Sequence, residues 1–269
     1  MNILLKVAEL IKSEKTFALA TLVYADSGTP RKLGSRMIVY PDGKIEGSIG
    51  GGTLELVVIK DALKLLAAGE NKRFQYDLTE KEGENPLGMA CGGKAEILIE
   101  TFQKKDKLFV FGAGHIGKKL AELSRIIEIP CWVIDNREEY AREVFFPEGI
   151  TVLHDDFLHS FSQLPIDEKS YIVIVTHGHT FDKVCLREAL KTKAQYIGMI
   201  GSKNKVRGIK NSLVKEGFDI NDPRIYSPIG LQIGNYTPGE IAVSIVAEIL
   251  KVKSGGSGKH LRDIVQTQE

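Results

Sequence analysis

No stretch of the sequence reaches the roughly 18 consecutive apolar residues that would mark a membrane-spanning helix, and no basic, then apolar, then small-residue leader opens it. Cysteine is scarce: three in 269 residues, Cys91, Cys131 and Cys185, with no C-x-x-C and no metal-ligand spacing. That excludes a disulfide framework and fits a reducing compartment, so a cytoplasmic protein is expected. An excess of either charge is missing too. The 36 basic and 35 acidic side chains leave +1, too little to attract nucleic acid or a membrane surface, so partners must be recognised by local sites. Internal repeats are absent. What is present is a chain that is 43% hydrophobic, enough to bury a full core in about two domains.

The stretch that organises the rest is Leu108 to Arg137, LFVFGAGHIGKKLAELSRIIEIPCWVIDNR. An apolar strand, Leu108 to Phe111, runs into Gly112, Gly114 and Gly117 at G-x-G-x-x-G spacing, with His115 and Ile116 between the last two. A helical pattern follows through Leu120, Leu123, Ile126 and Ile127. A second apolar run, Cys131 to Ile134, ends in Asp135, roughly 20 residues on, where a dinucleotide fold places the acid that binds a ribose hydroxyl. Gly112 allows the tight turn, Gly114 lets backbone approach a phosphate, and Gly117 lets helix pack close on strand. The phosphate belongs on the helix N-terminus, where free N–H groups and the helix dipole favour negative charge. Asp135 is expected to favour a free ribose 2′-hydroxyl over a 2′-phosphate, with Arg137 beside it as a complication.

The first hundred residues read as a small α+β unit. A helix carries Ile3, Leu4, Val7, Leu10 and Ile11; strands are expected at Phe17 to Tyr24, Met37 to Tyr40, Lys44 to Ile49, Arg73 to Leu78 and Lys94 to Phe102. Pro41-Asp42-Gly43 marks an antiparallel hairpin, and Thr53 is a candidate N-cap for a helix that Gly69 ends. After the linker Gln103 to Lys107 the rhythm becomes strand–helix alternation, the pattern of a parallel sheet with crossovers. Further strands are expected at Ile150 to Leu153, Tyr171 to Val175 and Tyr196 to Ile200, with helices near 138–144, 182–192 and 203–216. Thr237-Pro238-Gly239-Glu240 reads as a capping box with proline at N1, opening a last helix. The fold class is therefore α/β: a Rossmann-like doubly wound parallel sheet over 104–251, preceded by an α+β domain over 1–103 and followed by a flexible tail over 252–269.

Other stretches are candidates for chemistry. His177 and His179 follow the strand ending at Val175, where open parallel sheets bind ligands; they suit an acid, a base or a ligand, or simply a hydrogen-bonded loop. Gly201 and Ser202 precede a helix whose first turn carries Lys203 and Lys205, which fits a phosphate contact or plain capping. Asp155 and Asp156 end a strand near the cleft, to orient a ribose or to solvate a loop. Arg31, Lys32 and Arg36 lie near the Gly50-Gly51-Gly52 loop, suited to a second anionic group or to solvent. Cys91, beside Gly92 and Gly93, is placed as a reactive thiolate or soft-metal donor, whereas Cys131 and Cys185 fall in a strand and a helix, where burial is the default. No nucleophile, base and orienter form a visible set, so catalysis by the protein itself is not required.

Taken together, Gly28-Thr29-Pro30-Arg31, Gly34-Ser35-Arg36-Met37, Gly47-Ser48-Ile49-Gly50-Gly51-Gly52 with Leu54-Glu55, and Gly88-Met89-Ala90-Cys91-Gly92-Gly93 resemble the XdhC/CoxI family of xanthine dehydrogenase accessory factors. So do FGAGHIG, Asp135-Asn136-Arg137, Thr176-His177-Gly178-His179 with Asp182, YIGMIGSKNK, Pro228-Ile229-Gly230-Leu231 and Thr237 to Ala242. The resemblance covers nearly the whole chain. It implies a chaperone that binds molybdenum cofactor, as molybdopterin or a dinucleotide form, protects it during sulfuration and inserts it into a molybdenum hydroxylase. It also implies a cysteine desulfurase as sulfur source, a homodimer, and Cys91 near the molybdenum. Many relatives carry a cysteine where this chain has Thr53, leaving Cys91 as the only motif cysteine. The alternative from another class is an NAD(P)-dependent oxidoreductase using the same glycine turn, with His177 or His179 as acid or base; a nucleotide-sensing module without chemistry is a third.

Overall fold

Alternation along one strand decides the layering of the first unit, Met1–Lys104. In a computed structural model that describes residues 2–26, 32–77, 93–234 and 236–265, strand β1 (Phe17–Ala25) sends Ala18, Ala20 and Leu22 to one face and Phe17 and Leu19 to the other, the period-2 rule of a pleated strand. Strand β2 (Arg36–Val39) does the same, with Met37 and Val39 against Ile38. The first face is covered by α2 (Gly52–Ala68) through Leu54, Val58, Ala62 and Leu65, and the second by α1 (Ile3–Lys12) through Val7 and Leu10. With β3 (Ile45–Gly47), β4 (Lys72–Asp77) and β5 (Lys94–Phe102) the sheet runs β3-β2-β1-β5-β4, every pairing antiparallel. The hairpin at Pro41-Asp42-Gly43 pairs Met37 with Gly47, and Gly43 sits at φ +81°.

Two local expectations need correction. Helix α2 starts at Gly52 with Gly51 as its cap, so Thr53 already lies inside the first turn. The expected strand Lys44 to Ile49 stops at Gly47 because Glu55 captures the residues beyond it: its Oε1 accepts from Ser48 Oγ (2.6 Å), the Ile49 amide (3.1 Å) and the Gly51 amide (2.8 Å). Gly69 ends α2 in the left-handed region as expected (φ +70°).

The second unit, Lys105–Glu269, is a six-stranded parallel sheet. Its strands are β6 (Lys107–Phe111), β7 (Cys131–Asp135), β8 (Thr151–His154), β9 (Ser170–Ile174), β10 (Tyr196–Met199) and β11 (Ile225–Tyr226), in the order β8-β7-β6-β9-β10-β11. The chain winds outward from β6 in one direction and then from β9 in the other, so the switch point lies between these two neighbours. Both are buried along their whole length, as strands covered on two faces should be. Leu108, Val110, Tyr171 and Val173 pack under α3 (His115–Ile126) and α7 (Pro238–Ser254). Phe109, Phe111, Ile172 and Ile174 pack against α4 (Phe157–Gln163), α5 (His179–Leu190) and α6 (Lys203–Lys215).

The capping box at Thr237 and Glu240 is formed, and α7 continues to Ser254. A short helix, α8 (Leu261–Val265), lies in the tail. The helix expected near 138–144 is instead a turn and one 3-10 turn, Glu143–Phe145. A single turn forms there, with Tyr140 and Ala141 both donating to the Arg137 carbonyl, while the Arg137 side chain folds back on Asp135. Among the described residues no helix is long and apolar enough to cross a membrane.

Candidate functional site

The carboxyl ends of β6 and β9 meet at the switch point, and both lead into helices that begin on glycine. Gly114 caps α3 and Gly178 caps α5, and neither helix has a side-chain capping bond. By contrast, Asp156 caps α4, Ser202 caps α6 and Thr237 caps α7. A helix start leaves its first amides without intrahelical partners, so the two helices flanking the switch point offer N–H donors that their neighbours have spent. The three glycines divide the work. A Cβ on Gly112, which sits at φ +120°, would overlap the Val175 carbonyl, and one on Gly117 would overlap the Gly112 carbonyl oxygen; at Gly114 a Cβ would meet nothing within 4 Å. Gly112 and Gly117 are therefore glycine for the protein's own packing, and Gly114 alone borders open space beside the donors. His115 is exposed at the first position of α3, and Ile116 is half-buried against the core.

Asp135 ends β7 fully buried. Its Oδ2 accepts from the Ala113 amide (2.8 Å) and from Arg137 Nη2 (2.9 Å); its Oδ1 accepts from the Arg137 amide (3.1 Å) and Nε (2.9 Å). Burial alone would raise its pKa, but the Arg137 guanidinium and these amides outweigh burial and hold the carboxyl below its ordinary range. The other face of Arg137 lies over the Tyr140 ring, 3.8 Å from its centroid. Next to this clamp, Asn136 Oδ1 is buried with no hydrogen-bond partner among the described residues, a condition that costs about 1–3 kcal/mol when nothing supplies the bond.

At the end of β9, Thr176 donates to the buried Asp182 carboxylate (2.6 Å), and Lys205 from α6 forms an ion pair with the same group. This network ties the His177–Gly178 loop to the start of α6. His177 itself is exposed, its ring 4.8 Å from that of Phe181. Asp182 is the residue that sequence reading underrated: it was legible only as a member of a motif, because its partner lies on another helix. Ser202 accepts from the Lys205 amide (3.3 Å) as an ordinary cap, with Gly201 beneath the Lys205 stem. Asp156 accepts from the Leu158 (2.9 Å) and His159 (3.3 Å) amides as the α4 cap, and Asp155 from His159 Nδ1 (2.9 Å).

In the first unit, the triglycine loop proves to hold an anion of its own. Glu55 fills it, and although burial pushes that carboxyl up, the Ser48 hydroxyl and the Gly51, Ile49 and Gly50 amides hold it below the usual range. Arg36 is half-buried at the start of β2 and makes no ion pair with a described residue. Arg31, Cys91 and the side chain of His179 lie outside the described residues. Cys131 and Cys185 are buried; burial pushes the first thiol up to about 12 and the second well above its ordinary value. Among the described residues no three His, Cys, Asp or Glu side chains are grouped to hold a metal ion. The described residues thus fit the phosphate end of a nucleotide or pterin cofactor, at Gly114, and supply no soft donor for a metal end.

Comparison with known proteins matches each of the two units to a family model. A family model described as the XdhC Rossmann domain matches residues 108–249, and one described as the XdhC and CoxI family matches residues 10–77. The uncharacterized protein YqeB of Escherichia coli K12 is 30% identical over 260 residues, 96% of this chain and 47% of that one. A probable xanthine dehydrogenase subunit of Bacillus subtilis 168 is 31% identical over 160 residues, 58% of this chain and 46% of that one. The chain thus spans about half the length of these two curated relatives. The molybdenum cofactor insertion chaperone PaoD of Escherichia coli K12 is 22% identical over 275 residues, 91% of this chain and 86% of that one. A crystal structure of a xanthine dehydrogenase from Bacillus halodurans shares the fold, with a TM-score of 0.51, 21% identity and coverage of 95% and 96%. With one family model spanning more than half of its residues and a second matching the unit before it, the chain belongs to the XdhC and CoxI family.

Proposed function

We propose that this protein is an accessory factor that binds molybdenum cofactor, supports its sulfuration and inserts it into a xanthine-dehydrogenase-type molybdenum hydroxylase. The observation that carries this reading is Gly114: a glycine bordering open space at an uncapped helix start, at the switch point of the sheet, in a chain similar along 91% of its length to a protein named as a molybdenum cofactor insertion chaperone. The cofactor's phosphate rests on the first turn of α3. When bound, the cofactor brings the molybdenum centre that the client hydroxylase uses. Within the first unit, Cys91 is the soft donor offered to a metal, and Arg31 and Arg36 are cations offered to an anionic group. A cysteine desulfurase supplies the sulfur, and the working form is a homodimer.

The test is anaerobic loading with molybdenum cofactor, followed by gel filtration and measurement of co-eluting molybdenum. Wild-type protein is expected to retain near-stoichiometric metal, and Cys91→Ser to lose most of it while keeping its affinity for pyrophosphate, since the substitution removes the thiolate and little volume. Absence of retained molybdenum, together with tight NAD(P)H binding and hydride transfer to an added acceptor, would support the oxidoreductase reading instead.

A further inference from the structure

An ionised carboxylate has about four acceptor positions, two per oxygen. In Asp135 all four are taken by this chain's own N–H groups: Ala113, the Arg137 amide, Arg137 Nε and Arg137 Nη2, and the side chain is fully buried. A ligand hydroxyl finds neither a vacant lone pair nor a path to one. Arg137 is in the opposite state. Its side chain is 24% exposed, and of the five N–H groups of a guanidinium the carboxylate uses two. The other three have no partner among the described residues, and the stack on Tyr140 holds the plane in place.

From this geometry we infer that Asp135 is a positioning residue, a clamp between the glycine turn and Arg137, and that the group meeting a ligand at the end of β7 is the Arg137 guanidinium. This rests on the reading that the Gly114 turn holds a phosphate. The end of β7 then reads an acceptor, such as a second phosphate group, where a free Asp135 carboxylate would read a ribose hydroxyl. Lys118 in the first turn of α3 and Arg142 lie 4.1 and 5.7 Å from the centroid of the Phe145 ring, and neither pairs with a described carboxylate. Glu139 lies close enough to act on Arg137, which limits the preference to a moderate one.

The probes are inorganic pyrophosphate, ADP-ribose and 2′-phospho-ADP-ribose, titrated calorimetrically against the wild-type protein. The expected order places 2′-phospho-ADP-ribose about three- to tenfold tighter than ADP-ribose, the value of one or two added hydrogen bonds to a partly exposed donor group. Asp135→Asn is expected to weaken all three ligands by a similar factor, because it loosens the turn and not a ribose contact; circular dichroism and thermal unfolding establish that the variant is folded. Tighter binding of ADP-ribose than of its 2′-phosphate, or an Asp135→Asn loss confined to the ribose-bearing ligands, overturns the inference while leaving the phosphate turn standing. Failure of all three, pyrophosphate included, to bind wild-type protein removes the phosphate turn and the inference with it.

Discussion

Replacing Gly114 by valine is expected to leave the protein folded and to weaken phosphate binding by tenfold or more. The backbone at Gly114 is extended (φ −72°, ψ −167°), which valine adopts readily, and a Cβ there meets nothing within 4 Å. The cost in stability is that of a poor N-cap, about 1 kcal/mol. The cost in binding is steric, because the branched side chain fills the space that a phosphate needs to reach the α3 amides. Gly117→Ala is the control with the opposite signature: its Cβ collides with the Gly112 carbonyl, and overpacking of that kind costs about 1–3 kcal/mol or more. Thermal unfolding and pyrophosphate titration of both variants read the two effects separately. Unchanged affinity in a folded Gly114→Val protein would falsify the assignment of the turn.

The second large effect lies in the Thr176–Asp182–Lys205 network. Lys205→Met is expected to destabilise the second unit by about 3–5 kcal/mol, the usual cost of stripping the counter-charge from a buried ion. For a unit of this size that lowers the midpoint by roughly 10 °C or more. Asp182→Asn is expected to cost less, since no buried charge is left behind, the amide can keep the Thr176 bond, and Lys205, at 16% exposure, can turn to solvent. A midpoint for Lys205→Met within about 2 °C of wild type means that the pair does not hold the His177 loop to α6.

Much of this was legible in the sequence because it depends on local rules. The Gly112–Gly117 spacing, the β-branched run of β9 and the Thr237 capping box each follow from steric or hydrogen-bonding demands within a few residues. What escaped depends on partners. Asp135 stood where the ribose acid stands, but nothing in D-N-R says that the arginine turns back to fill both oxygens. The triglycine loop advertised an anion site, and Glu55, four residues past Gly51, occupies it. Asp182 and Lys205 are 23 positions apart and meet only because α5 and α6 pack side by side. Helix α4 was missed because Asp155 and Asp156 read as cleft acids, although one of them is simply its cap.

The most direct measurement is transfer. Wild-type and Gly114→Val proteins, each incubated anaerobically with molybdenum cofactor and a sulfur source and freed of excess ligand, are mixed with a cofactor-free xanthine-dehydrogenase-type hydroxylase, and the appearance of hydroxylase activity is followed. The expected result is activation by the wild-type protein, faster than by the same amount of free cofactor, and little by Gly114→Val. Equal activation by both proteins, or none by a wild-type protein that has retained no molybdenum, contradicts it.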